Sequence, residues 1–129
     1  MLYQWAHAGE PMGRVAEAFW SVRSAAPETR VMAERLACGA QQRVETLDAA
    51  IAAAATNWRL ERIAAVDLSI MRIAAYELLA EPETPSAVII DEAVEMARRF
   101  GEADSPSFVN GVLDSVMRTV RKVGEAENV

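Results

Sequence analysis

One cysteine, Cys38, and one histidine, His7, are all that the 129 residues hold of the side chains that most often carry nucleophilic, redox or metal chemistry. A lone cysteine closes no internal disulfide, which fits a reducing compartment, the cytoplasm. Neither a Cys-His pair with a third orienting group nor a metal cluster with ligand spacing can be assembled, and no glycine-rich phosphate loop occurs. No enzymatic activity, metal or cofactor is therefore expected. Glu92 and Glu95 are close on a helix, but a solvated acidic face accounts for them. No apolar run approaches the length that crosses a bilayer. Met1–Trp5 carries no basic segment followed by an apolar block, so no secretory signal is read and no membrane partner is expected. Period-two alternation is missing throughout, which excludes strands. Of the five prolines, Pro11, Pro27, Pro85 and Pro106 stand at inferred helix starts and Pro82 falls in a loop, which suits an all-helical chain. Positive charge is also short. A net charge of −6 argues against indiscriminate binding to a phosphate backbone, so any RNA recognition must be local.

What the chain does contain is apolar periodicity at helical pitch. The length suits a single domain, assigned to residues 1–122, with 123–129 as a frayed tail. Met1–Ala8 reads as the last turns of a truncated first helix, with Met1 an internal methionine of a longer protein. Pro11 opens a helix carrying Val15, Ala18, Phe19 and Val22 on one side. From Glu28 to about Ala55 the stripe Met32, Leu36, Ala40, Val44, Leu47, Ile51 marks one long helix or a pair joined near Gly39, and one helix is favoured. Asn57 ends it, and Trp58–Ile63 begins a short turn. Residues 66–80 are apolar on nearly every side, the mark of a central helix. Within it Arg72 and Glu77 cannot stay unpaired, so they either meet partners across a helix interface or emerge at a binding surface. Asp67 suits the dipole at that helix's start.

The last two helices carry Ile90, Ala93, Val94, Ala97 and Phe100, then Val109, Val112, Leu113, Val116 and Val120 on their stripes. Asp104-Ser105-Pro106 separates them as a helix start, with a side-chain oxygen able to cap free amides. Asn110-Gly111 lies inside the final stripe. It is read as helical, with Asn110 partly buried and another backbone close to Gly111, because an interior glycine costs roughly 1 kcal/mol relative to alanine. Arg98, Arg99 and Arg118 are candidate phosphate contacts, and Tyr3 and Phe108 candidate stacking platforms for splayed RNA bases. Aromatic residues at helical spacing usually pack, so Tyr3 and Trp5 also suit a core. For Phe108 core packing and base stacking stand level.

Residues 105–114, SPSFVNGVLD, preceded by Asp91–Gly101, DEAVEMARRFG, closely resemble the closing motif of the NusB family of bacterial transcription antitermination factors. Asp67–Leu79, DLSIMRIAAYELL, and Leu2–Trp5, LYQW, match the same family in the same order, while residues 10–57 match only in helical character. The resemblance implies an all-α fold, a compact helical bundle made of two packed subbundles. It implies binding to the boxA element of ribosomal RNA leader transcripts together with NusE, a small-subunit ribosomal protein, within the RNA polymerase antitermination complex. Carried over by motif, Tyr3, Asp67, Asp104, Ser107 and Phe108 fall on the RNA-binding side. The helix around Arg72 and Glu77, with the helix after Pro85, is the expected NusE surface. Two residues depart from the pattern. Ser107 stands where many relatives have lysine, and Asp91 where asparagine is common; the basic segment that precedes LYQW in relatives is not in the sequence. Two other readings remain open, a protein interaction module that does not touch RNA and a helical accessory domain of a ribosomal RNA methyltransferase. An apolar face beside the truncated first helix could pair two chains as a homodimer.

Overall fold

In the computed structural model Leu2, Ala6 and residues 26–56 and 58–121 are described. Five α-helices occur among them: α1 Pro27–Gln42, α2 Val44–Ala54, α3 Ala65–Ala80, α4 Ser86–Phe100 and α5 Ser105–Val120, with a 3-10 turn at Leu60–Arg62 between α2 and α3. No strand is found among the described residues. Tyr3, Trp5, His7, the helix expected after Pro11, Asn57, Lys122 and the expected frayed tail lie outside them.

α3 is the centre of the bundle and touches each of the other four helices. Its apolar surface is nearly continuous, so any orientation would expose oily area unless neighbours covered several sides. Met71 and Leu78 are fully buried on it, against Leu47 and Ile51 of α2, Ile89 of α4, and Val109, Leu113 and Val116 of α5. Leu2 joins the same core. Pro27 and Pro106 occupy first-turn positions of α1 and α5, where the missing amide hydrogen would have had no intrahelical acceptor. No helix among the described residues is long and apolar enough to cross a membrane.

Four expectations need correction. The long helix is broken at Arg43, which leaves helical geometry at φ −112°, ψ 18°. Its amide is shared between the carbonyls of Gly39 and Ala40, at 3.3 and 3.2 Å. The apolar stripe cannot report this bend, because Ala40, Leu47 and Ile51 face the core on both sides of it. Gly111 and Asn110 are exposed, and a Cβ on Gly111 would meet nothing within 4 Å. The close approach inferred there occurs at Gly39, where a Cβ would collide with the Tyr76 ring of α3. Phe100 ends its stripe outside the core, 59% exposed, with the Arg99 guanidinium 5.6 Å from its ring centroid. Asp104 is the residue before α5, but its side chain makes no capping hydrogen bond.

Candidate functional site

The start of α5 is held by a buried polar clasp. Ser105 Oγ accepts from the Glu102 amide and donates to Asp67 Oδ2, each at 2.9 Å. Asp67 belongs to the first turn of α3, so one carboxylate lies close to two helix N-termini, both of which favour negative charge. It is only 6% exposed, and its Oδ1 has no hydrogen-bond partner among the described residues. Asp67 therefore lies beneath the surface, tied to the first residue of α5. Gly101 is required here, because a Cβ would lie 2.6 Å from Ser105 Cβ and 2.8 Å from the Ala97 carbonyl.

Above the clasp the first turns of α5 carry Ser107, exposed, and Phe108, half-buried. Phe108 leans on the core without being sealed in it. Its ring meets Trp58, with centroids 5.9 Å apart and planes at 67°. Trp58 is 52% exposed. Sequence reasoning placed this tryptophan only in a connecting turn, although an aromatic flanked by arginines in Trp58-Arg59-Leu60-Glu61-Arg62 was a usable signal. Asp104 is exposed at the same end of α5, and Arg98 and Arg99 are exposed in the last turn of α4. Arg98 pairs with Glu95 at 2.6 Å and Arg118 with Asp114. Exposed pairs of this kind are weak and open readily to a stronger anion. Arg118 stands ten residues beyond Phe108 on α5, about 15 Å along the axis at 1.5 Å per residue.

The other two candidates behave differently from one another. Arg72, 9% exposed, meets Asp48 of α2 with two parallel hydrogen bonds of 2.8 Å. That is the first of the two alternatives for a charge on α3, a tie across a helix interface, and it withdraws Arg72 from the surface. Glu77 instead faces an open apolar groove of about 650 Å³ between α1, α3 and α4, with Met32, Leu36, Ile70, Ile73 and Met96 among its walls and Glu92 beside it. Burial pushes the Glu77 carboxyl above its ordinary value, and the charges of Glu92 and Glu81 push it further. Among the described residues no cluster of histidine, cysteine and carboxylates could hold a metal.

The order of these features along the chain has a known counterpart, since residues 1–118 match the NusB family. The chain belongs to the NusB family. It is similar to the transcription antitermination protein NusB of Sorangium cellulosum (strain So ce56), 43% identical over 123 residues that span 95% of this chain and 88% of that protein. The protein of the same name from Syntrophotalea carbinolica is 48% identical over 103 residues, 80% of this chain and 66% of that one. Among solved structures, NusB of T. maritima superposes with a TM-score of 0.80 at 31% identity, over 91% of this chain and 82% of that one. Membership in NusB places the protein among transcription antitermination factors and not among enzymes.

Proposed function

We propose that this NusB protein works in the cytoplasm by binding boxA RNA of ribosomal operons at the start of α5 and NusE at the groove beside Glu77, so joining transcript and ribosomal protein within the RNA polymerase antitermination complex. The observation that carries the RNA half is Phe108, which stands half-exposed over the Ser105–Asp67 clasp where a base can reach it. Single-stranded RNA is read by stacking unpaired bases on aromatic rings while basic groups contact phosphate, and Arg98 and Arg99 lie at the same end of the bundle. Asp104 and Ser107 are exposed at the same end of α5 and can receive or offer hydrogen bonds. Tyr3 belongs to the same proposal by motif. Arg118, further along α5, would touch only RNA that runs down that helix.

The NusE half is supported by charge and shape. A groove with apolar walls and two carboxylates, Glu77 and Glu92, suits an amphipathic segment that brings a lysine or arginine, and ribosomal proteins are rich in both. Phe108→Ala is expected to weaken binding to a boxA oligonucleotide by roughly tenfold, the loss of about one stacked base, with helical content by circular dichroism unchanged. Fluorescence anisotropy of labelled RNA checks it, and unchanged affinity would remove Phe108 from the site. If NusE binds and boxA RNA does not, the protein is an interaction module without RNA contact.

A further inference from the structure

Trp58 is the largest exposed aromatic among the described residues, and the fold gives it an unusual setting. Its amide donates to the Ala55 carbonyl at 3.0 Å, just after α2 ends, which fixes the backbone. The residue, in contrast, is 52% exposed, and its ring N–H donates to no described residue. Burying a tryptophan withdraws a large apolar surface from water, so a tryptophan held on a fixed backbone with its ring left open forgoes most of that stabilisation. Phe108 approaches at 67°; an edge-on contact of this kind covers one ring face at most and leaves flat aromatic surface free.

The residues that follow add positive charge. Arg59 and Arg62 are both exposed. Neither takes part in an ion pair with a described residue. This distinguishes them from Arg98 and Arg118, which are already paired. The Arg62 amide donates to the Arg59 carbonyl at 2.9 Å, which closes the turn and holds the two residues' backbones together. An open indole, a second aromatic at its edge and two unpaired guanidiniums on one turn make a platform with adjacent phosphate anchors.

We infer that Trp58 is a second base-stacking residue, which with Arg59 and Arg62 extends the RNA site from Phe108 onto the turn between α2 and α3 and holds the next nucleotide of a single strand. The inference rests on the reading of the α5 start as an RNA site. Stacking on a neutral ring and contact with phosphate differ in salt dependence, since only the second releases counterions. That difference makes the two parts of the platform separately measurable.

The test titrates single-stranded boxA RNA against the wild-type chain, Trp58→Ala, Trp58→Phe and Arg59→Ala/Arg62→Ala, following both anisotropy of labelled RNA and intrinsic tryptophan fluorescence, with thermal melting of each variant alongside. The expected result is about tenfold weaker binding for Trp58→Ala at an unchanged melting point, the loss of about one stacked base. Its slope of log affinity against log salt stays as in the wild type. Trp58→Phe keeps most of the affinity but loses the share of the fluorescence quench that Trp58 contributes beside Trp5 and Trp20, and the double arginine variant lowers the slope. Wild-type binding with undiminished affinity in Trp58→Ala, or a quench as large in Trp58→Phe as in the wild type, would overturn the inference and leave the Phe108 site standing. A Trp58→Ala variant that loses NusE and keeps RNA would overturn it too, as would a wild-type chain that binds no RNA, which removes the underlying reading as well.

Discussion

Glu77 shows how one position can work against stability while lining an open groove. Its carboxyl is raised above the unfolded value of 4.5, first by burial and then by Glu92 and Glu81. Between 4.5 and that raised value the folded state holds more of the proton than the unfolded state does. Stability therefore falls as pH rises through the window and stays lower above it. Glu77→Gln is expected to stabilise the protein at pH 7 by about 0.5 kcal/mol once solvent screening of a half-buried group is allowed for. The gain disappears below pH 4.5, and melting curves across that range check it. If the groove holds a basic partner segment, the same substitution weakens that complex while strengthening the free protein. Gly39 and Gly111 make a parallel point. Both are helical glycines, yet only Gly39 has a neighbour, Tyr76, that excludes a Cβ, and composition alone could not tell them apart.

The helices are joined by a few polar ties at their ends. Arg121, at the end of α5, is buried and donates five hydrogen bonds: to the carbonyls of Glu77, Leu78 and Glu81 at the end of α3, to the Thr84 carbonyl, and to Ser86 Oγ at the start of α4. The last carbonyls of a helix lack intrahelical partners and carry partial negative charge, so a guanidinium there satisfies both needs. Arg121→Ala is expected to cost about 3 kcal/mol, because hydrogen bonds to a charged group are lost and buried carbonyls are left unpaired. Arg121→Lys recovers less than half, since an ammonium cannot reproduce the planar fork. Urea denaturation checks both. This element was invisible in the sequence, where no local pattern sets Arg121 apart from the other arginines. The helices themselves were legible. The starts at Pro27, Ser86 and Ser105 fall within a residue or two of their expected places, because proline and the apolar stripe are local signals. The bend at Arg43 was not legible, since neither proline nor glycine marks it.

The protein as a whole is acidic, −6, so RNA affinity cannot come from a general positive field. A site that uses Arg59, Arg62, Arg98 and Arg99 makes about four phosphate contacts, and log affinity for single-stranded boxA RNA should fall against log salt with a slope of roughly −3. A titration series in potassium chloride measures it, and a slope near zero would remove the arginines from the interface. The all-helical class, the central place of α3, the family and the closing motif with Phe108 could all be read from the order of residues. The class and the place of α3 follow from apolar periodicity along one chain, which no partner alters, and the family and its closing motif from the resemblance of short stretches of sequence. The placement of Trp58 against Phe108, the burial of Asp67 under Ser105, the pairing of Arg72 with Asp48 and the clamp made by Arg121 could not. These contacts join residues that are 24 to 50 positions apart or share no pattern. Whether a charged or aromatic side chain ends in the core, in a tie or on the surface is settled by packing, because the same residue on the same stripe turns inward or outward according to which helix arrives beside it.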